Sequence, residues 1–300
     1  MYAIETNNLT KKYKNKTVVD KVNLFVPEGS IFGFVGENGA GKTTIMRLLT
    51  GLSEPSGGSY KLFDVSNTDR KIYETRSHIS AIVESTSLIP TMNAMENLKF
   101  AYLYLGLSQE IDFNQLLKTV GLIDVGNKKV KDYSLGMRQR LGIALALLNE
   151  PRLLLLDEPM NGLDPEGIAE LRDLLINLNK KGITILISSH ILSELEKIAT
   201  HYGILSHGRL IKTITSEELH SDVRKSKQFV FKQIDGIEKV LKLENIKDYK
   251  ITNNTLTIFN EFDLSSFINS LVKNNYNIID IISKDESIED YYLSLLKEER

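Results

Sequence analysis

A chain of 300 residues, 42% of them hydrophobic, is long enough for two compact domains with apolar cores of their own. Its 37 Lys and Arg stand against 39 Asp and Glu, a formal charge of −2, so no overall basic field recruits nucleic acid or anionic lipid. There is no cysteine, which excludes disulfides and thiolate metal sites and fits a reducing compartment.

The opening MYAIETNNLTKKYKNK alternates and lacks the apolar centre of a signal peptide, so secretion is not expected. Alternation and turn signals predict strands near 2–9, 22–26 and 30–35, then a glycine-rich loop and a helix over about 42–51. Apolar runs at 78–83, 153–157, 183–188 and 202–206 read as further strands, with helical patterns near 93–105, 136–149, 165–180 and 191–199. Strands alternating with helices predict an α/β fold whose largely parallel sheet is covered on both faces. The longest apolar stretches, 141–148 and 153–156, fall well short of the roughly 20 residues a spanning helix needs, so any membrane role would come through a partner.

Gly208, in SHGRLIKTIT, marks the turn of a short hairpin, after which Asn, Lys, Ile and Asp become more frequent. A domain boundary is expected near 215–227. Beyond it the pattern predicts strand 228–233, helix 236–245, strands 248–252 and 255–259, helix 263–274, strand 276–283 and helix 287–298. The order βαββαβ is that of a small α+β, ferredoxin-like domain. It carries no chemical motif, and its expected role is a stabilising or dimerising appendage, the alternative being a regulatory domain.

Three segments carry chemistry. Gly36-Glu37-Asn38-Gly39-Ala40-Gly41-Lys42-Thr43 satisfies G-x-x-x-x-G-K-[ST] between a predicted strand and helix. Glycines let backbone N–H groups wrap phosphates, the helix N-terminus adds partial positive charge, Lys42 reaches the β- and γ-phosphates, and the Thr43 hydroxyl suits Mg²⁺. Gly36, Asn38, Gly39, Gly41, Lys42, Thr43 and Thr44 are thus the expected nucleotide-binding set. Second, Leu153–Leu156 followed by Asp157 and Glu158 is an apolar strand ending in two carboxylates, at the edge where parallel sheets bind ligands. Asp157 would hold Mg²⁺ directly or through water, and Glu158 would orient or deprotonate the attacking water. Third, His190 follows the apolar strand 183–187 and two serines; if that strand shares the sheet, His190 reaches toward the γ-phosphate.

Together these segments, over about residues 2–215, resemble the nucleotide-binding subunit of ABC transporters. Tyr133–Arg140 resembles the family's signature segment in a variant form, Asn161–Pro165 its D-loop, and Ser188–His190 its switch segment. The resemblance implies a P-loop NTPase cassette over 1–217, with a RecA-like core sheet and a helical subdomain at about 85–150, followed by an accessory domain over 225–300. It implies that Tyr13 stacks on adenine, that Glu158 and His190 are catalytic, and that ATP and Mg²⁺ are the cofactors. It also implies a head-to-tail dimer in which Ser134 and Gly136 of one subunit close over ATP held by Lys42 of the other. The remaining expected partner is an integral membrane permease, received in a groove beside residues 85–120, which places the chain at the cytoplasmic face of a bacterial membrane.

One departure from the family pattern stands in ISAIVESTSLIPTMNAMENL, where Glu84 occupies the place of the Q-loop glutamine. That residue is expected to touch Mg²⁺ and the attacking water and to relay to the permease; a carboxylate keeps the oxygen ligand, adds negative charge and loses the amide donor. With YSLGM and the tail IISKDESIEDYYLSLLKEE, Glu84 makes the chain resemble the ATPases of bacitracin-resistance and lantibiotic-immunity exporters. A soluble mechanochemical ABC ATPase acting on nucleic acid or ribosomes is the alternative, but the long coiled coil or second cassette of that class is absent. A nucleotide sensor without turnover is a further alternative, and the presence of both Glu158 and His190 argues against it.

Overall fold

The computed structural model describes the chain except residues 85, 223–224, 260–261, 286–288, 290, 293–294 and 296–300. It divides into two compact units, Met1–Ser216 and Glu217–Arg300.

The first unit begins with β1 (Tyr2–Tyr13), β2 (Lys16–Val22) and β3 (Phe25–Pro27), followed by β4 (Ile31–Val35) and α1 (Lys42–Leu49). β5 (Gly57–Leu62) and β6 (Val65–Ser66) return to β1, giving an antiparallel sheet of order β2-β1-β5-β6 with β3 also on β1. This sheet is larger than the sequence pattern predicts. β1 runs on past residue 9 because it pairs in turn with β3, β5 and β2, and the lysine-rich Lys11–Lys16 stretch forms the exposed hairpin end. Two glycines at the start of β5 hide a strand whose existence depends on pairing with β1.

The second sheet is the parallel one. α2 (Ile72–Ser77) leads into β7 (Ile79–Ile82), and β8 (Leu153–Asp157), β9 (Thr184–Ser189), β10 (His201–Ser206) and β11 (Arg209–Thr215) complete the order β11-β10-β4-β9-β8-β7. Only the β10–β11 hairpin is antiparallel. Every residue of β4, β8 and β9 is buried, as a strand covered on both faces requires. α1 lies between the two sheets: Ile45, Met46, Leu48 and Leu49 pack in one cluster with Leu9, Val19 and Leu62 of the first sheet and Phe34, Leu155 and Leu205 of the second. The helix that follows the glycine loop is therefore gripped from both sides.

Between β7 and β8 the chain is helical: α3 (Ala94–Tyr104), α4 (Phe113–Thr119) and α5 (Leu135–Leu147) pack against one another. α3 starts in a capping box, the Asn93 side chain accepting from Glu96 N–H at 2.8 Å and the Glu96 carboxylate accepting from Asn93 N–H at 2.7 Å. α6 (Pro165–Lys180) follows β8, N-capped by Asp164 with Pro165 in its first turn. The predicted helix over 191–199 shrinks to the single turn α7 (Leu192–Leu195). No helix among the described residues is long and apolar enough to cross a membrane.

The second unit contains most of α8 (Ser216–Asp222), then β12 (Lys225–Phe231), α9 (Glu238–Leu243), β13 (Tyr249–Thr252), β14 (Thr255–Ile258), α10 (Leu264–Lys273) and β15 (Ile278–Asp285). The sheet is antiparallel in the order β13-β14-β12-β15, a ferredoxin-like arrangement. Most of the expected helix over 287–298 lies outside the described residues. The unit has its own core, in which Phe229 meets Phe267 edge-on at 5.1 Å between ring centroids. Phe229 is fully buried, so Phe229→Ala should remove about 3–5 kcal/mol from this unit. Hydrogen exchange of the β12 and β14 amides reads that loss directly.

Candidate active site

β4 delivers the chain into the glycine loop, and its neighbours shape the loop's path. A Cβ on Gly36 would lie 2.5 Å from the Leu205 carbonyl oxygen of β10, so only glycine permits that approach. Gly41 has φ +109, and a Cβ there would meet the Val18 carbonyl of β2 at 2.9 Å. The curl is held by Gly208 N–H donating to Ala40 O at 3.0 Å, and it opens a cleft whose lining includes Val18, Asn38, Gly39, Thr43, Thr44 and Glu158.

Lys42, with a side chain only 6% exposed, folds back over the loop. Its ammonium donates to Gly36 O at 2.5 Å and to Glu37 O at 3.3 Å, and lies 3.1 Å from Glu158 Oε1. The Thr43 hydroxyl, one residue on, donates to Asp157 Oδ2 at 2.6 Å. Asp157 is tied to β9 as well, accepting from the Ser188 hydroxyl at 2.6 Å, because β8 and β9 pair with Asp157 opposite Ser188. At Glu158 the backbone turns sharply into the left-handed region, φ +49, with its N–H donating to Ser188 Oγ at 2.9 Å. That turn aims the Glu158 carboxylate between two partners, the Lys42 ammonium and His190, whose Nδ1 is 2.7 Å from Oε2. Lys42, Thr43, Asp157, Glu158, Ser188 and His190, drawn from three separate stretches, form one connected network.

Four expected site residues lie elsewhere. Tyr13 is at the β1–β2 hairpin end, 43% exposed, with the Lys11 ammonium 5.0 Å from its ring centre, and it does not line the cleft. Ser134 is the exposed N-cap of α5, its hydroxyl accepting from Met137 N–H at 3.2 Å. Gly136 faces the 161–167 segment, where a Cβ would stand 3.8 Å from Leu163. Burial pushes the phenol of Tyr133, just before Ser134, above its ordinary pKa. Glu84 is not among the residues lining the cleft, and its carboxylate is held in an ion pair by Arg47 of α1. Sequence reasoning missed Arg47, which reads as an ordinary helix charge, and the specific partnership of Ser188 with Asp157; a serine ending an apolar strand beside an acid-ended strand was the available signal.

The arrangement fits a magnesium nucleotide. A cation, two positive-φ glycines and a helix N-terminus make an anion cradle. The Thr43 hydroxyl and Asp157 carboxylate supply the few hard oxygens Mg²⁺ takes from protein when phosphates and waters provide the rest. No cluster of three or more His, Cys, Asp or Glu side chains suited to an all-protein metal site occurs among the described residues.

Residues 19–161 match the family described as ABC transporter. Bacitracin transport ATP-binding protein BcrA of Enterococcus faecalis is 39% identical over 298 residues, 98% of this chain and 96% of that protein. Lantibiotic transport ATP-binding protein SrtF of Streptococcus pyogenes is 43% identical over 208 residues, 69% of this chain and 89% of that protein. Among solved structures, cbiO1 of Clostridium perfringens, part of the ABC transporter complex cbiONQ, superimposes with a TM-score of 0.67 at 25% identity, covering 74% of this chain and 91% of that one. A post-hydrolysis dimer of the ATP-binding cassette MJ0796 with ADP and Pi does so at 0.63 and 25% identity, covering 71% and 98%.

Proposed function

This chain belongs to the ABC transporter ATP-binding family, and we propose on that footing that it powers removal of an antimicrobial peptide, of bacitracin or lantibiotic type, through separate permease subunits. It is an ATPase, and its turnover drives that removal. The observation that carries the peptide reading is the reach of the similarity: likeness to a bacitracin transport protein covers 98% of the chain, running past the first unit into the second.

In this reading Lys42 and the N–H groups of the 36–44 loop bind the phosphates, and Thr43 and Asp157 hold Mg²⁺, which when bound neutralises phosphate charge. Glu158 accepts the proton of the attacking water, and His190, at 2.7 Å, fixes the carboxylate's direction. Ser134 and Gly136, at the N-terminus of α5, act across a head-to-tail dimer, giving the second copy's nucleotide a further set of N–H donors. Tyr13 stacks on adenine once nucleotide is present. The permease is received beside α3, where Phe100, Leu103, Tyr104 and Leu105 stand exposed in the apolar patch such docking requires. That contact holds the protein at the cytoplasmic face of the membrane.

The test is co-expression with candidate membrane permease subunits in a peptide-sensitive bacterium. Expected is a several-fold rise in the inhibitory concentration of bacitracin or a lantibiotic, abolished by Glu158→Gln. Hydrolysis by the purified protein with no protection against either peptide would reject the substrate while leaving the ATPase intact.

A further inference from the structure

α1 engages the edge of the parallel sheet twice with one face. Residues four apart lie on the same side of a helix, about 6 Å along its axis, so Arg47 stands one turn beyond Thr43. Thr43 donates to Asp157 at the end of β8, and Arg47 Nη2 donates to Glu84 Oε1, two residues past the end of β7. β7 lies parallel beside β8 with Ile82 opposite Leu156, so Glu84 leaves the same edge of the sheet as Asp157 and Glu158. Glu84 adopts φ +70, a region non-glycine residues seldom occupy, which turns the chain at this point. With its carboxylate on Arg47, Glu84 is outside the lining of the phosphate cleft.

We propose that Arg47 is a positioning residue for the ATPase reaction. Its guanidinium holds the Glu84 carboxylate against α1, neutralises the charge a glutamate brings to the edge of a phosphate site, and sets how far Glu84 reaches toward the metal. The permanent charge and forked donors of arginine suit this role. The pair is 38% and 63% exposed, so it is weak enough to open when the segment after β7 is moved, and salt screens it. The inference rests on Mg-ATP being bound between Lys42, Thr43 and Asp157.

The experiment compares the wild type with Arg47→Gln, Glu84→Gln, the double variant and Arg47→Lys. Both ATP turnover and nucleotide binding are titrated with Mg²⁺ at low and high ionic strength. Arg47→Gln is expected to lower the half-saturating Mg²⁺ by about threefold and to slow turnover, because the freed carboxylate reaches the metal. The double variant should match Glu84→Gln, Arg47→Lys should recover most of the wild-type Mg²⁺ response, and high salt should bring the wild type toward Arg47→Gln. Wild-type Mg²⁺ dependence in Arg47→Gln, or effects of the two substitutions that multiply independently, would overturn the proposal. A wild type that binds Mg-nucleotide without turnover would instead count against the ATPase assignment, with the binding titration still deciding the Arg47–Glu84 coupling.

Discussion

Purified Glu158→Gln protein is expected to release phosphate about 10²–10⁴-fold more slowly than wild type while still binding ATP. The amide has nearly the size of the carboxylate but cannot take a proton from water, and it gives His190 no charged partner at 2.7 Å. It also ends the ion pair in which Glu158 occupies the Lys42 ammonium at 3.1 Å, so affinity for the triphosphate should hold or rise. Slow turnover with retained binding then accumulates the ATP-bound dimer, visible as a doubling of mass by light scattering when ATP is added. Adding Ser134→Arg should prevent that dimer without disturbing the Lys42 network, because Ser134 is an exposed N-cap lying outside the cleft. Phosphate release at the wild-type rate would remove Glu158 from its role, and equal monomer fractions with and without ATP would count against the ATP-bound dimer.

Lys42→Ala should cost two properties at once. Charge-assisted hydrogen bonds contribute about 1.5–3 kcal/mol each, so losing the ammonium's contacts to phosphate should weaken ATP binding about 10²-fold or more. The folded protein should suffer as well, since the ammonium holds Gly36 O, Glu37 O and Glu158 together with a side chain that is almost wholly buried. Breaking a fully buried pair costs about 3–5 kcal/mol; Glu158 keeps His190 and some solvent contact, so a loss of about 1–3 kcal/mol is expected here. Nucleotide titration by fluorescence and a denaturant midpoint measure the two effects separately. Affinity within threefold of wild type would show that Lys42 is not the phosphate-binding cation.

How legible the protein was depended on how local each feature is. The glycine loop and the acid-ended strand Leu153–Glu158 declare themselves because backbone wrapping and a strand end need particular residues at fixed short spacing. The β1-β2-β5 sheet was understated, because Lys11–Lys16 shows no alternation and β5 opens with Gly57-Gly58; those strands exist through their partners. The sequence marks Glu84 as an acid in an amide's place, but its pairing with Arg47, 37 residues earlier, belongs to packing between a helix and a strand end.

By itself, then, the sequence determined the chemistry available: a phosphate loop, two carboxylates after a buried strand, a histidine after another, and a serine in the signature segment before an apolar helix. Which of these meet was decided only by tertiary structure. Parallel pairing sets Asp157 opposite Ser188 and Ile82 opposite Leu156, and the two sheets clamp α1 so that Thr43 and Arg47 face neighbouring strand ends. The left-handed turn at Glu158 then aims its carboxylate between Lys42 and His190. The physical reason is that short spacing is fixed by chain geometry, whereas contacts between stretches distant in the sequence depend on strand register and core packing, to which every part of the unit contributes.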